Sequence, residues 1–130
     1  MLSETEMNRL NELTHNIIGC AIEVHKELGP GLLESIYHKC LMIELESKNL
    51  RYETEKLCDV IYKGISLNID LRLDLLVEDS VIIELKSVKE ILPIYEAQLL
   101  TYMKMMDKNI GLLINFNVRK LKDGIKRLII

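Results

Sequence analysis

The chain has no tryptophan, one phenylalanine, two prolines and six glycines in 130 residues. So few breakers exclude a fibrous or disordered chain, and 48% hydrophobic with 28% charged residues is the balance of a globular protein. Long apolar runs are also missing. None approaches the roughly 18 residues that a membrane helix needs, so no membrane partner is expected. The first residues lack a basic stretch followed by an apolar one, which makes the cytoplasm the expected compartment. Cys20, Cys40 and Cys58 are far apart and form no CxxC pair, which argues against a disulfide framework or a zinc ribbon. They read as free, mostly buried thiols. The formal net charge of -3 gives no global attraction for nucleic acid, so any phosphate chemistry needs a local basic patch or a metal.

What remains is enough for one compact domain over residues 1–130. In "ETEMNRLNELTHNIIGCAIEVHKEL" the apolar residues Leu10, Leu13, Ile17, Ala21, Val24 and Leu28 recur at three and four, predicting a helix. "LGPG" ends it, because Pro30 cannot continue the helix and Gly29 and Gly31 permit sharp turns. A second helix is expected from Leu32, with Leu33, Ile36, Cys40, Ile43 and Leu45 as its apolar stripe and Glu34, Tyr37, His38 and Leu41 on an adjoining face. After Arg51 the period changes to two. Three segments, "YETEKLCDVIYKG", "ISLNIDLRLDLLV" and "VIIELKSV", read as an antiparallel meander turning at Lys63 and Gly64 and again at "EDS". Pro93 opens a further helix, "PIYEAQLLTYMKMMDK", whose methionines read as packing residues. The apolar run "IGLLINF" and a terminal strand after an Asp-Gly turn complete the order helix, helix, three strands, helix, strand, strand.

Glu84 and Lys86 lie two apart in the strand "VIIELKSV" and so share a face with Ile82. If Glu78, Asp79 and Ser80 form the loop, Val77 faces Val81, and the same register sets Asp74 opposite Glu84. Two carboxylates about 5 Å apart repel by about 3 kcal/mol at an effective dielectric of ~20. Lys86 can offset part of this. A hard divalent cation is the stronger partner, since it takes carboxylate and backbone oxygens together with water. The plainer alternative is a partly solvated ion pair at a sheet edge.

Asp74, followed after nine residues by Glu84, Leu85 and Lys86, resembles the PD-(D/E)xK nuclease signature, and "GLLESIY" from Gly31 to Tyr37 matches the pattern of the GxxExxY proteins, a group similar to those nucleases. The likeness extends through "AIEVHKELGPGLLESIY", "DLLVED", "EAQLLTYMK" and the closing "LKDGIKR". One departure is Leu73, where the hallmark has proline. The resemblance implies an α/β fold with a restriction-endonuclease-like core, in which a helix, three antiparallel strands, a helix and a strand build a mixed central sheet. It also implies metal-dependent hydrolysis of nucleic-acid phosphodiesters with magnesium or manganese, DNA being the first substrate to consider. A binding module that keeps the nuclease fold without its activity is the alternative.

On that resemblance Asp74, Glu84 and Glu34 would hold the metal, and Lys86 would position the attacking water. Glu34 also suits a plain first-turn glutamate. Tyr37 would hold Glu34 or a phosphate, or else pack with its hydroxyl satisfied. Gln98 and Tyr102, four apart on one side of a helix, resemble a Gln-x-x-x-Tyr motif that contacts the active site or the nucleic-acid backbone. His25, at a helix end near the Gly-Pro-Gly break, is a further candidate metal ligand, with an ordinary helix-terminal histidine as the alternative. Arg119, Lys120, Lys122, Lys126 and Arg127 form the densest basic stretch and could guide a phosphate backbone. A homodimer is a further possibility for so small a domain.

Overall fold

The computed structural model describes residues 2–130. Helix α1 spans Glu4–Leu28 and α2 spans Glu34–Ser47; strands β1 (Tyr52–Tyr62), β2 (Ile65–Val77) and β3 (Val81–Lys86) follow. Helix α3 spans Pro93–Met106, then come β4 (Ile110–Asn115), a short 3-10 turn over Leu121–Gly124, and β5 (Ile125–Ile129). The five strands lie in the spatial order β1-β2-β3-β4-β5. β1, β2 and β3 pair antiparallel, β3 and β4 parallel, and β4 and β5 antiparallel. The expected element order and the mixed sheet are both present.

Local chemistry explains the ends of the elements. Ser3 caps α1, accepting from the Glu6 N–H while the Glu6 carboxylate accepts from the Ser3 N–H. Gly29, at φ 68, ends the helix. Lys63 and Gly64 both have positive φ, the requirement of a two-residue hairpin turn whose twist matches its strands. Pro93 occupies the first turn of α3, where a missing N–H costs nothing.

The sheet separates two apolar layers. On one side α1 and α2 cover Leu75, Val77, Val81, Ile83, Leu85, Leu112 and Ile114. On the other, Leu99 and Met103 of α3 cover Leu73, Leu76, Ile82 and Leu113. Gly111 lets α3 approach β4 closely, because a Cβ there would meet Leu99 and Met103 at 2.8 Å.

Two expectations change. The buried face of α2 is Tyr37, Leu41 and Leu45, whereas Leu33, Ile36 and Ile43 are exposed. The reason is tertiary: the Tyr37 ring stacks on Phe116 at a centroid distance of 4.4 Å, which turns the i, i+4, i+8 row inward. The Asp-Gly pair also makes no tight hairpin. Asp123 and Gly124 end a 3-10 turn, where a Cβ on Gly124 would lie 2.1 Å from the Asn115 carbonyl.

Candidate active site

Val77 pairs with Val81, Leu76 with Ile82 and Leu75 with Ile83. Continued by one residue, this register sets Asp74 against Glu84, yet the backbone ladder stops short of that position. Side chains take over there. The Asp74 N–H donates to Glu84 Oε1 at 3.2 Å, and the Leu85 N–H donates to Asp74 Oδ2 at 2.8 Å. Each carboxylate thus fills the other strand's backbone gap. Asp74 is also skipped in the ladder with β1, opposite Glu55, which adopts a left-handed φ of 52.

The two carboxylates are half-buried between hydrophobic layers. Burial, reinforced by the neighbouring Asp74 charge, pushes the Glu84 carboxyl up to about 8; the backbone N–H of Asp74 and the Lys86 ammonium only partly oppose this. Near neutral pH Glu84 therefore holds its proton in the free chain. Lys86 leaves the same face of β3, and its ammonium sits 4.5 Å over the centroid of Tyr95 on α3.

Glu34 begins α2 and remains exposed. Partial desolvation raises its carboxyl above the usual range, with Lys86 pulling it down and Asp74 pushing it up, so it lies within electrostatic reach of both. It does not close a ligand set: among the described residues no group of three His, Cys, Asp or Glu side chains could hold a metal ion. Asp74 and Glu84 nonetheless suit a hard divalent ion, being adjacent oxygen donors whose mutual repulsion a cation would relieve. Such an ion would draw its other ligands from backbone, water or a shifted Glu34.

Helix α3 supplies the other wall. Burial raises the Tyr102 phenol, and the charges of Glu84 and Asp74 raise it further, so it lies within electrostatic reach of the pair. Gln98, one turn earlier on the same side, is exposed.

Two candidates do not face this site. The Tyr37 hydroxyl donates to the Gly29 carbonyl at 2.6 Å and accepts from the Leu32 N–H at 3.1 Å, and the residue is fully buried. It locks the Gly-Pro-Gly loop and leaves nothing for a phosphate. His25 is likewise engaged elsewhere: its Nε2–H donates to the Val118 carbonyl at 2.7 Å, with its ring beside Phe116. Both side chains lie next to the core, where satisfying a backbone group is worth more than pointing outward. The basic stretch is also divided. Lys126 pairs with Leu113, on the α3 side of the sheet, and Arg127 pairs with Leu112, on the α1 side, where it donates to Asn11.

Three residues were missed. Tyr95 carries the Lys86 ammonium. Buried Asn115 accepts from the Val88 N–H and donates to the Val88 carbonyl, each at 3.0 Å, fixing the chain just after Lys86. Ser87 donates to the Leu32 carbonyl at 2.6 Å, tying the end of β3 to the loop before Glu34. Only Asn115 left a signal, as the lone amide closing the apolar run "IGLLIN".

No curated protein matches the chain. The crystal structure of SSO0001 is similar at a TM-score of 0.56 and 22% identity, over 74% of this chain and 50% of that one. The chain thus spans half the length of that protein, and the likeness carries the fold alone. Together with the mixed five-stranded sheet and the chain's family, it supports a restriction-endonuclease-like architecture. A family model of the PD-(D/E)XK nuclease superfamily matches residues 11–128, spanning Glu34, Asp74, Glu84 and Lys86. The chain belongs to the PD-(D/E)XK nuclease superfamily.

Proposed function

We propose that the chain hydrolyses phosphodiester bonds in nucleic acid, DNA first among them, with magnesium or manganese as cofactor. The observation that carries this reading is the reciprocal Asp74 and Glu84 pair, with Glu84 driven to about 8 and Lys86 on the same face of β3. Without a cation the pair is relieved only by a proton on Glu84, and a binding surface has no use for such a pair. Within the superfamily we assign the chain to the GxxExxY group, on Gly31, Glu34 and Tyr37.

A divalent cation held by Asp74 and Glu84, with Glu34 as an additional ligand, supplies the Lewis acidity that polarises a phosphate and acidifies water. The chain's own groups do the rest. Glu84 releases its proton as the cation is taken up. Lys86 donates to the attacking water or to a phosphate oxygen, stabilising charge as it develops. Tyr102 and Gln98 donate to non-bridging oxygens of the substrate backbone. Tyr37 and Ser87 position Glu34 indirectly, by fixing the loop that starts α2.

The second reading is a module that binds nucleic acid or protein without cleaving. It is favoured by one observation: the described residues contain no group of three ligating side chains. The test incubates the protein with single- and double-stranded DNA and RNA, adding magnesium, manganese or chelator, beside Asp74→Ala, Glu34→Gln and Lys86→Ala. Cation-dependent cleavage lost in Asp74→Ala and Lys86→Ala supports the nuclease. Binding without cleavage supports the module, and cleavage surviving both alanine variants removes this site from consideration.

A further inference from the structure

We propose that the outer half of the β1–β2 hairpin is a homodimer interface, packed hairpin against hairpin about a two-fold axis in a second copy of this chain. The reasoning is independent of the nuclease reading. Beyond Cys58, which α3 still reaches, the ribbon loses its cover, and every residue from Ile61 to Asp70 is exposed. Yet the segment is rich in large apolar side chains: Ile61 is 58% exposed, Tyr62 60%, Ile65 65% and Ile69 59%. A two-stranded ribbon standing alone in water is marginal at best. β1 is also an edge of the sheet, with the unpaired backbone groups that edges present.

Area points to an occupant of protein size. A compact monomer of 15.1 kDa exposes about 7,100 Å² by the scaling of surface with mass, whereas this chain exposes 7999 Å². The excess, about 900 Å², is close to what one partner contributes to a standard protein–protein interface. Charge then selects a second copy. Arg72 is taken up by Glu55 at 3.8 Å, and over the exposed span from Ile61 to Asp70 Lys63 and Asp70 cancel, with Asp59 beside them, so two copies do not repel strongly and each offers both signs to the other. A nucleic acid or an anionic lipid surface would meet two carboxylates beside the single cation of the turn, Lys63. Two-fold pairing is also the commonest way for a chain to cover its own exposed patch.

The test is light scattering on the full chain across micromolar concentrations, with Ile65→Lys/Ile69→Lys and, as control, Ile43→Lys on exposed α2. Wild type and control should reach twice 15.1 kDa. The double variant should stay monomeric, its dissociation constant raised by about 100-fold, with an unchanged circular dichroism spectrum. Hydrogen exchange on wild type supplies a readout that needs no variant: amides of residues 57–70 should gain protection as concentration rises. A wild type that is monomeric throughout overturns the proposal, as does a dimer that survives the double variant or protection confined to other segments. Flotation of monomeric wild type with anionic vesicles, lost in the double variant, would assign the ribbon to lipid instead.

Discussion

The two halves of β2 have nearly the same alternation of apolar and polar residues, and opposite surroundings. From Leu73 to Val77 the strand is buried except for Asp74; from Ile65 to Asp70 it is exposed throughout. The difference is cover. Leu99 and Met103 of α3 press on Leu73 and Leu76, while Ile65 and Ile69 stay more than half exposed with only the ribbon itself beside them. Alternation therefore specifies a two-faced strand and leaves open what each face meets. In the covered half, one acid is set against another in partial burial, which raises the Glu84 carboxyl. In the uncovered half, equivalent residues make an adhesive surface.

The sharpest way to break this contrast is to remove one acid of the pair. Asp74→Ala should lower cation-dependent cleavage by about 10³-fold, the scale of losing a principal electrostatic stabiliser. Its thermal midpoint in chelator should change little, because the lost acceptor of the Leu85 N–H and the relief of Glu84 from the Asp74 charge oppose each other. Parallel loss of stability and activity would instead make Asp74 a structural residue. Next in size is packing. At concentrations that keep the chain monomeric, Leu76→Ala should cost about 2–5 kcal/mol in urea unfolding. Ile65→Ala, one face of the same strand further out, should cost less than about 0.5 kcal/mol.

Glu84 makes the covered half sensitive to pH. Below its unfolded value of 4.5 the carboxyl is protonated in both states and carries no penalty. Between 4.5 and about 8 the folded chain holds a proton that the unfolded chain has released, so this contribution to stability drains away as pH rises and is gone above about 8. In chelator, the melting midpoint of wild type should fall across that window more steeply than that of Glu84→Gln. Magnesium should raise the midpoint more at the alkaline end, where it no longer competes with the proton. Equal slopes in the two proteins would place Glu84 in open solvent.

Much of this was legible because short turns and a period of two leave little freedom. Once "EDS" sets Val77 against Val81, Asp74 and Glu84 follow by counting, and so does the face shared by Glu84 and Lys86. What could not be read depends on partners distant in the chain. The inward face of α2 is chosen by Phe116, which Tyr37 meets only after the sheet has formed. His25 is drawn to a carbonyl 93 residues away. The strand's outer half looked like its inner half, since absence of cover is a property of the whole fold.

The smallest effect concerns the covered half alone. Lys86 stands over Tyr95 at 4.5 Å, although two carboxylates lie on its side of the sheet. The ring draws the ammonium toward α3, and such a contact is worth about 0.5–1 kcal/mol where solvent still reaches it. Tyr95→Leu should therefore reduce kcat by about two- to fivefold with little change in KM, whereas Tyr95→Phe, which keeps the ring face, should match wild type. If Phe and Leu lose equally, the phenol hydroxyl and not the ring is the working part. If neither loses activity, Lys86 is positioned by Asn115 and the end of β3 alone, and the wall that α3 contributes reduces to Tyr102 and Gln98.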